Sequence, residues 1–331
     1  MLQTISSDIS HRNELRRTAS AGFGDMNICA VVVTYNRHDL LEKCLLSLLR
    51  QSYAPAKIMI IDNASTEPAA DVLRHYSDRA RFIRLNHNTG GAGGFYTGLK
   101  TAMADGYDAA WLMDDDGAPD QDCLQVLVER GLKMGPAILN PLVINEADEA
   151  RLAFGLQIKD RLLTHVRDVP AVNSASGVLD GAINAFNGTL IPRRVYEVLG
   201  DIKAECFIWG DEIEYCARAI AAGIPLVTCV GSVHRHPLYR GTLVDLGALG
   251  KVRICPPDRA HFHYRNFGYY ASKYRSLFYM TAKFLVYAAY LCAKVSRAEA
   301  LRFARYFVDG ATDRYSLEPS RSALMRKLRD V

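Results

Sequence analysis

Short apolar runs alternate with segments of helical spacing through the first half of the chain. Residues 28–33 form an uninterrupted apolar run rich in β-branched side chains, which is typical of a buried strand. Apolar residues then recur at helical spacing over residues 40–48, and residues 57–61 are predicted to form a second strand. A strand, a helix and a strand in this order predict a parallel βαβ unit and therefore an α/β fold.

The alternation continues as far as residue 113. It predicts a helix over residues 69–76, a strand over residues 81–85, a helix over residues 95–104 and a strand over residues 109–113. The carboxyl ends of four parallel strands would then meet along one edge of the sheet, which is where ligands bind in open α/β sheets. We expect this first structural unit to span residues 27–143.

Three aspartates, Asp114, Asp115 and Asp116, follow the last of these apolar runs directly. Adjacent carboxylates repel one another unless a positive charge lies among them. Oxygen ligands suit hard cations such as Mg²⁺ or Mn²⁺, and a bound cation can in turn hold a phosphate. A capped turn with surplus charge would explain one aspartate, but three in succession after a buried strand favour a metal site.

A glycine-rich loop precedes the predicted helix at residues 95–104, with glycines at positions 90, 91, 93 and 94. Glycine permits a close approach of the backbone to a ligand, and the first amides of the following helix favour anions. The spacing is not the GxGxxG of dinucleotide-binding proteins, and no Lys-Ser/Thr pair follows as in a P-loop. These differences disfavour a Rossmann dehydrogenase and a P-loop kinase. A flexible surface turn is the alternative.

Two acids and two histidines lie further along the chain. Asp211 and Glu212 are at the predicted start of a helix, where either carboxylate could accept a proton from a hydroxyl nucleophile, although acids there also complement the helix dipole. Apolar residues at 213, 216 and 220 are expected to turn that helix toward a core. Beyond the next strand, His234 and His236 are candidate metal or phosphate ligands, with His234 favoured, and Arg235 is a candidate anion contact.

The composition limits the class of protein. A chain of 331 residues with 49% hydrophobic residues can bury a large core. A net charge of +4 without a long basic block argues against a nucleic-acid partner. Eight cysteines without CxxC pairs are typical of reduced core thiols and indicate a cytoplasmic compartment. Residues 1–26 lack the apolar stretch of a signal peptide and are predicted to form a loosely ordered extension.

Taken as a set, these motifs resemble the family-2 inverting glycosyltransferases of the GT-A fold. The resemblance covers residues 27–237 and, within the family, is greatest to bacterial galactofuranosyltransferases and their rhamnosyltransferase relatives. The motifs that carry it are Val33-Thr34-Tyr35-Asn36-Arg37, Ile61-Asp62-Asn63-Ala64-Ser65, Asn88 with its glycine loop, Asp114-Asp115-Asp116, Trp209-Gly210-Asp211-Glu212 and His234. It implies a catalytic domain over residues 27–240, in which residues 144–240 form the acceptor-binding half.

The resemblance also implies roles for individual residues. The general base is Asp211 or Glu212, a choice left open because many relatives have Glu-Asp or Asp-Asp at these positions. The ligands of Mn²⁺ or Mg²⁺ are Asp114, Asp116 and His234. The substrate contacts, which surround the nucleotide and sugar of the donor, are Thr34, Tyr35, Asn36, Arg37, Asp62, Asn63, Asn88, Gly90, Gly91, Gly93, Gly94, Asp114, Asp115, Trp209 and Arg235.

The implied reaction is an in-line transfer that inverts the anomeric carbon and extends a bacterial surface glycan or a lipid-linked acceptor. A nucleotide-sugar donor is expected, with UDP-galactofuranose favoured and dTDP-rhamnose the alternative. A nucleotide-sugar-binding protein without turnover would not need the acids at positions 211 and 212. A nucleotidyltransferase would carry a basic glycine-rich loop after the first strand, where this chain has Thr34-Tyr35-Asn36.

The C-terminal region, residues 241–331, is predicted to be mostly helical. Residues 276–295 form a helix-compatible run that is too polar for a membrane span. Flanking basic residues and tyrosines fit a helix that lies on an anionic membrane, at the inner face of the cytoplasmic membrane. Basic residues at 321, 326, 327 and 329 would add attraction. A helix packed on the catalytic domain or in a homo-oligomer is the alternative. Residues 263–266 resemble a segment that precedes such tails, without an assigned role.

Overall fold

The computed structural model describes residues 26–67, 69, 79–158, 161–170, 177–239 and 241–315. Three sequence predictions lie outside these ranges. They are the N-terminal extension up to residue 25, the helix at residues 69–76 apart from its first residue, and the basic residues at 321–329.

The secondary structure of the described residues is mixed. The strands are β1 (Ile28–Thr34), β2 (Lys57–Asp62), β3 (Ala80–Arg84), β4 (Ala109–Asp114), β5 (Ala118–Pro119), β6 (Ile138–Asn145), β7 (Asp148–Ile158), β8 (Arg161–His165), β9 (Val178–Asp180), β10 (Thr189–Pro192), β11 (Leu226–His236), β12 (Thr242–Asp245) and β13 (Lys251–Ile254). The α-helices are α1 (His38–Leu49), α2 (Gly90–Ala104), α3 (Cys123–Met134), α4 (Arg193–Leu199), α5 (Asp211–Ala221), α6 (Ala260–Tyr274), α7 (Leu277–Lys294) and α8 (Arg297–Ala311).

One large sheet organises the catalytic region. β3, β2, β1 and β4 lie side by side and are parallel, as the predicted βαβ pattern requires. β10 runs antiparallel to β4 and connects it to β6, which pairs in parallel with β11. Short antiparallel strands border this part, with β5 and β9 on β11 and β7 on β6. The predicted α/β class is confirmed.

Helices cover both faces of the sheet. On β1, Ala30 and Val32 face a core shared with α1 and α3, whereas Val31 and Val33 face a core shared with α2 and α5. A strand that is buried on both faces has a continuous run of apolar residues. This run is why β1 could be predicted from the sequence. Each fully buried valine side chain contributes about 1.5–3 kcal/mol.

Two helices differ from the sequence prediction. Helix α2 begins at Gly90, so the glycines form its first turn. A Cβ at Gly98 would lie 2.2 Å from a Val31 side-chain carbon, so glycine lets this helix lie close against β1. In α5 the predicted core face was wrong at Ile213 and Ile220, which are exposed, whereas Cys216 is partly buried against the core. The residues that α5 buries are Asp211, Glu214, Tyr215 and Ala219.

The predicted C-terminal helices are present and pack on one another. Phe303 and Phe307 of α8 are buried with Tyr287 of α7 and Tyr264 of α6. Helices α6 and α8 lie in close contact at Gly310. A Cβ at this position would lie 1.8 Å from the Arg265 carbonyl oxygen, so glycine is what permits the contact. Within the described residues, every helix is too short or too polar to cross a bilayer.

Candidate active site

The polar residues at the ends of three neighbouring strands lie side by side. In the parallel register, Thr34 of β1 is opposite Asp62 of β2, and Val33 is opposite Asp114 of β4. The turn that follows β4 therefore carries Asp115 to the end of β1. Thr34, Asp62 and Asp115 are all buried. This carboxyl edge of the sheet contains most of the residues that the sequence predicted to bind substrate.

Asp115 is held by two donors. The Thr34 hydroxyl donates to Asp115 Oδ2 at 2.7 Å, and Arg37 Nη1 donates to Asp115 Oδ1 at 3.2 Å. The same Arg37 nitrogen donates to Asp116 Oδ2 at 2.7 Å. Burial nevertheless raises the pKa of Asp115 above its usual value. Asp115 therefore fixes the acidic turn to β1, and Arg37 is the cation nearest to it.

The negative charge of the Asp114 carboxylate is unfavourable in its buried, acidic surroundings. Burial raises the pKa of Asp114 to about 8, and the charges of Asp116 and Asp115 act in the same direction. A carboxylate with a pKa raised in this way would be stabilised by a bound cation. The acidic turn thus has the electrostatics of a cation site.

Asp116 lies against His236, the less favoured of the two histidines that the sequence proposed as ligands. His236 Nε2 is 3.0 Å from Asp116 Oδ1. Its Nδ1 is 2.7 Å from the Pro237 carbonyl oxygen, so Nδ1 donates a proton to that oxygen. Burial opposes the charged imidazolium, but Asp116 outweighs it and raises the pKa of His236. Burial would also raise the pKa of Asp116, but His236 and Arg37 hold it below its ordinary value.

His234, the predicted metal ligand, is buried beneath the acidic turn. A Cβ at Gly117 would lie 2.1 Å from its Nε2, and a Cβ at Gly188 would lie 3.0 Å from its Nδ1. Among the described residues neither ring nitrogen has a hydrogen-bond partner, and burial lowers the pKa of His234 to about 3. The side chain fills the space between two glycines as a neutral ring. The contact with Asp116 is made by His236.

The side chains fit a cation that arrives with a phosphate-containing substrate. In the described part of the chain, no three histidine, cysteine, aspartate or glutamate side chains cluster closely enough to hold a metal ion. Asp116 and His236 offer one oxygen and one nitrogen ligand beside Asp114. Ions such as Mg²⁺ are commonly bound through one or two carboxylates together with substrate phosphates. The hydrogen bond to Pro237 is the kind that orients a metal-ligating histidine.

The start of α2 is held by two asparagines. Asn63 Nδ2 donates to the Gly90 carbonyl at 2.8 Å, and Asn63 Oδ1 accepts from the Thr89 amide at 2.7 Å. Asn88 Oδ1 accepts from the Gly90 amide at 2.8 Å. Asn63 is buried. Its amide therefore supports the glycine-rich turn, whereas the sequence predicted a substrate contact there.

At most glycines of this turn, other parts of the chain occupy the space that a side chain would need. A Cβ at Gly90, Gly93 or Gly94 would come within 2.0 to 2.4 Å of other protein atoms. At Gly91, by contrast, no described heavy atom lies within 4 Å of the added Cβ. Of the four glycines predicted to meet the donor, Gly91 therefore has the open surroundings that a ligand needs.

The loops after β1 and β2 are joined to each other. Asp62 Oδ1 accepts from the Ser65 amide at 2.9 Å, and Asp62 Oδ2 is 3.6 Å from Arg84 Nη1. Asn36 has a φ of 55° and donates its amide to Ser65 Oγ at 2.9 Å. Tyr35, which precedes Asn36 in the same loop, is exposed. These predicted nucleotide contacts thus lie together beside the acidic turn, with Tyr35 free to face a ligand.

The two candidate bases begin helix α5. Burial raises the pKa of Asp211 well above its usual range, and the charges of Glu212 and Asp114 raise it further. Glu212 Oε2 accepts from the Gly210 amide at 2.8 Å. The effect of Asp114 on Asp211 means that the acidic turn and the start of α5 are within electrostatic reach of each other. Trp209, a predicted substrate contact, precedes them with a φ of 59°.

Arg235 lies apart from the other predicted site residues. Its Nε and Nη2 donate to the two carboxylate oxygens of Asp120 at 2.6 and 3.1 Å, and its Nη1 donates to Glu149. Neighbouring residues on a strand point to opposite faces, so Arg235 and His236 face opposite sides of β11. The structure does not bring Arg235 to the acidic turn.

A mixed sheet whose parallel strands end in an acidic turn, with a helix-start carboxylate nearby, is typical of the class of GT-A glycosyltransferases. The family model "Glycosyl transferase family 2" matches residues 29–152. Galactofuranosyltransferase GlfT1 of Mycobacterium tuberculosis is 33% identical over 255 residues, which are 75% of this chain and 83% of that protein.

Two further similarities are more distant. The dTDP-rhamnosyl transferase RfbF of Shigella flexneri is 23% identical over 240 residues, which are 72% of this chain and 78% of that protein. The crystal structure of GalNAc-T7 with UDP, GalNAc and Mn²⁺ has a TM-score of 0.55 at 15% identity, covering 91% of this chain and 58% of that chain. The chain belongs to glycosyltransferase family 2. The predicted GT-A fold and glycosyltransferase class are confirmed.

Proposed function

We propose that this glycosyltransferase moves galactofuranose from UDP-galactofuranose onto a growing surface glycan or a lipid-linked acceptor, with inversion of the anomeric carbon. One observation carries the proposal. The contact between Asp116 and His236 lies within charge range of Asp114, and the charge of Asp114 acts on the buried carboxyl of Asp211. The first group suits a cation bound to a diphosphate, and the second suits a base for the acceptor hydroxyl. The similarity to a galactofuranosyltransferase supports the choice of donor.

On the donor side, Asp116 and His236 would hold Mn²⁺ or Mg²⁺ against the diphosphate, with the charge of Asp114 beside them. The ion would neutralise the negative charge that develops on the leaving diphosphate. Arg37 has a half-exposed side chain beside Asp115 and Asp116, where its guanidinium can pair with a phosphate. Tyr35 is exposed, and no described heavy atom lies within 4 Å of a Cβ at Gly91. These two residues are the proposed contacts for the nucleotide and the sugar.

On the acceptor side, we assign the base to Asp211. A raised pKa makes a carboxylate a stronger base near neutral pH, because proton transfer is most efficient when the pKa is close to the working pH. Burial and Glu212 both raise the pKa of Asp211. Glu212 bonds to the Gly210 amide, so its proposed role is to shape the turn and to tune Asp211.

A donor screen tests the proposal. Purified full-length protein with Mn²⁺ would be given UDP-galactofuranose, UDP-galactopyranose or dTDP-rhamnose with a lipid-linked glycan acceptor, and nucleotide release and product would be measured. We expect transfer from UDP-galactofuranose, loss of transfer with EDTA, and a product with the anomeric configuration opposite to that of the donor. UDP-galactopyranose is the matched control, since it differs only in the ring form of the sugar. Transfer from dTDP-rhamnose alone would replace galactofuranose by the alternative that RfbF suggests.

The exposed face of α7 supports a contact with an anionic membrane surface. Leu277, Phe278 and Leu285 are 73%, 83% and 59% exposed. An apolar helix face flanked by cations is typical of helices that lie at a lipid interface. The flanking basic residues are Lys273, Arg275, Lys294 and Arg297. We infer that this face rests on the inner side of the cytoplasmic membrane, close to a lipid-linked acceptor. Self-association through the same face is the rival interpretation.

A further inference from the structure

Helix α6 holds the loop that leads to the base. Asn266 Nδ2 lies 2.9, 3.0 and 3.1 Å from the carbonyl oxygens of Cys206, Ile208 and Trp209. Asn266 is buried. The two N–H groups of one side-chain amide are therefore shared among three carbonyl oxygens of a single turn, about 60 residues away along the chain.

Its neighbours fix the orientation of this amide. The Tyr315 hydroxyl donates to Asn266 Oδ1 at 3.4 Å, which leaves Nδ2 to face the loop. Arg265 Nη2 donates to the Glu205 carbonyl at 3.0 Å, and its guanidinium lies 4.4 Å from the centre of the Tyr315 ring. Because Asn266 and Arg265 bond to adjacent parts of residues 205–209, the whole turn is connected to α6.

The turn needs this support because its backbone is strained. Phe207 has a φ of 65°, Trp209 a φ of 59° and Gly210 a φ of 145°. Residues other than glycine adopt positive φ at a cost, and they keep it when surrounding contacts hold them there. At Gly210 a Cβ would also lie 2.7 Å from Asn266 Cβ. Without the bonds from Asn266, the strained residues would relax.

The same turn joins the two halves of the candidate active site. The Phe207 carbonyl accepts from the Ala92 amide of α2 at 3.1 Å, and a Cβ at Gly90 would lie 2.0 Å from that carbonyl oxygen. At its other end the turn passes into Asp211, the first residue of α5. The conformation of residues 206–210 thus sets the separation between the glycine-rich turn and the proposed base.

We propose that Asn266 is a positioning residue for glycosyl transfer. It holds residues 206–210 so that Asp211 faces the acceptor while the first turn of α2 keeps its place beside the donor. This inference rests on the proposed function of Asp211 as the base. Asn266 acts through the loop and touches neither reactant, so its loss should affect kcat more than the KM of the donor.

The test compares Asn266→Ala with Tyr274→Phe in the full-length protein. Tyr274 lies on the same helix and donates to Glu214 Oε1 at 2.7 Å, so its phenylalanine variant loses a bond between α6 and α5 while the loop bonds stay. For Asn266→Ala we expect a fall in kcat of about 10- to 100-fold, as small displacements of catalytic groups produce. Donor KM should change little, and hydrogen exchange of residues 205–213 should become faster. Tyr274→Phe should leave kcat and that exchange near wild type.

Gly210→Ala tests the same inference from the loop side, because the added Cβ strains the turn while Asn266 is kept. Gly210→Ala should reproduce the fall in kcat at nearly constant donor KM. In Gly210→Ala and in Asn266→Ala, the acidic limb of the profile of kcat against pH should move, because the surroundings of Asp211 change. Unchanged exchange in Asn266→Ala, or an equal loss of kcat in Tyr274→Phe, would overturn the positioning role. If the wild type transfers neither galactofuranose nor rhamnose, the proposed function is refuted. The hydrogen-exchange measurement still decides whether Asn266 holds residues 206–210.

Discussion

His236 Nε2 lies 3.0 Å from Asp116 Oδ1, and the pairing of β11 with β5 explains why this histidine reaches the acidic turn. The two strands are antiparallel, with His234 opposite Pro119 and Arg235 opposite Ala118. Each step forward along β11 is a step backward along β5, so the next residue, His236, continues toward the turn. His234 lies two positions earlier on β11 and is enclosed by the protein.

Asp116→Ala should abolish glycosyl transfer without unfolding the protein. The variant loses the carboxylate that faces His236, while Arg37 keeps its bond to Asp115. Transfer with Mn²⁺ and the thermal midpoint would be measured together. Asp120→Ala is the matched control, since that carboxylate pairs with Arg235 away from the cluster. Activity of Asp116→Ala close to wild type would remove this residue from the metal site.

The two histidines should differ in their effect on metal dependence. His236→Ala is expected to raise the Mn²⁺ concentration for half-maximal activity by about 10- to 100-fold, the usual range for metal-site contacts. His234→Met should leave that concentration unchanged, because the buried ring has no polar partner among the described residues and methionine adapts to such space. The opposite pattern would restore His234 as the ligand, in agreement with the sequence prediction.

The pH dependence of kcat should identify the base. Burial and Glu212 raise the pKa of Asp211, and a base acts in its deprotonated form, so kcat should fall as the pH falls through this raised pKa. Glu212→Gln removes a neighbouring negative charge. The pKa of Asp211 should then decrease, and the acidic limb of the kcat profile should move to lower pH. Asp211→Asn should lower kcat by about 10²-fold or more.

A stability measurement accompanies this prediction. A carboxyl whose pKa is raised by folding binds more protons in the folded state, so its contribution to the free energy of unfolding is lost as the pH rises through the folded pKa. Asp211 therefore opposes folding at neutral pH. Asp211→Asn should unfold at the same temperature as wild type or higher, despite its lower kcat. Normal kcat in Asp211→Asn together with a large loss in Glu212→Gln would assign the base to Glu212.

The sheet and the acidic turn could be predicted from the sequence because their signals are local. β1 and β4 are buried on both faces and read as continuous apolar runs, and Asp114–Asp116 mark the point where β4 leaves the core. The start of α2 could not be predicted in the same way. Glycine is a poor helix former, and its helical first turn depends on Asn63, a residue on a different strand end.

The role of α6 could not be predicted either, although residues 263–266 were noted as a segment without an assigned role. Asn266 bonds to backbone carbonyls, and a carbonyl is present at every residue, so no residue type near Asp211 indicates its partner. The choice between His234 and His236 has a similar cause. They share one face of β11, and the register with β5, which involves residues far apart in the chain, decides which of them meets Asp116.

The last prediction concerns the exposed face of α7. Phe278→Ser combined with Leu285→Ser should weaken binding to anionic vesicles and slow transfer to a lipid-linked acceptor, because both side chains are exposed and would be buried in lipid. Binding of the wild type should decrease with salt, since each cation near such a surface contributes about 1 kcal/mol. Ile220→Ser is the control, because Ile220 is an apolar residue on α5 about as exposed as Leu285.

Point variants are needed here because deleting the C-terminal region would remove α7 and α8 together. Phe303 and Phe307 of α8 pack against α6, so a deletion would disturb the helix that carries Asn266 and would lower activity for an unrelated reason. In the double variant, donor hydrolysis should stay near wild type while vesicle binding falls. If vesicle binding is unchanged and light scattering shows that a dimer has become a monomer, the face binds a second subunit and the membrane contact is refuted.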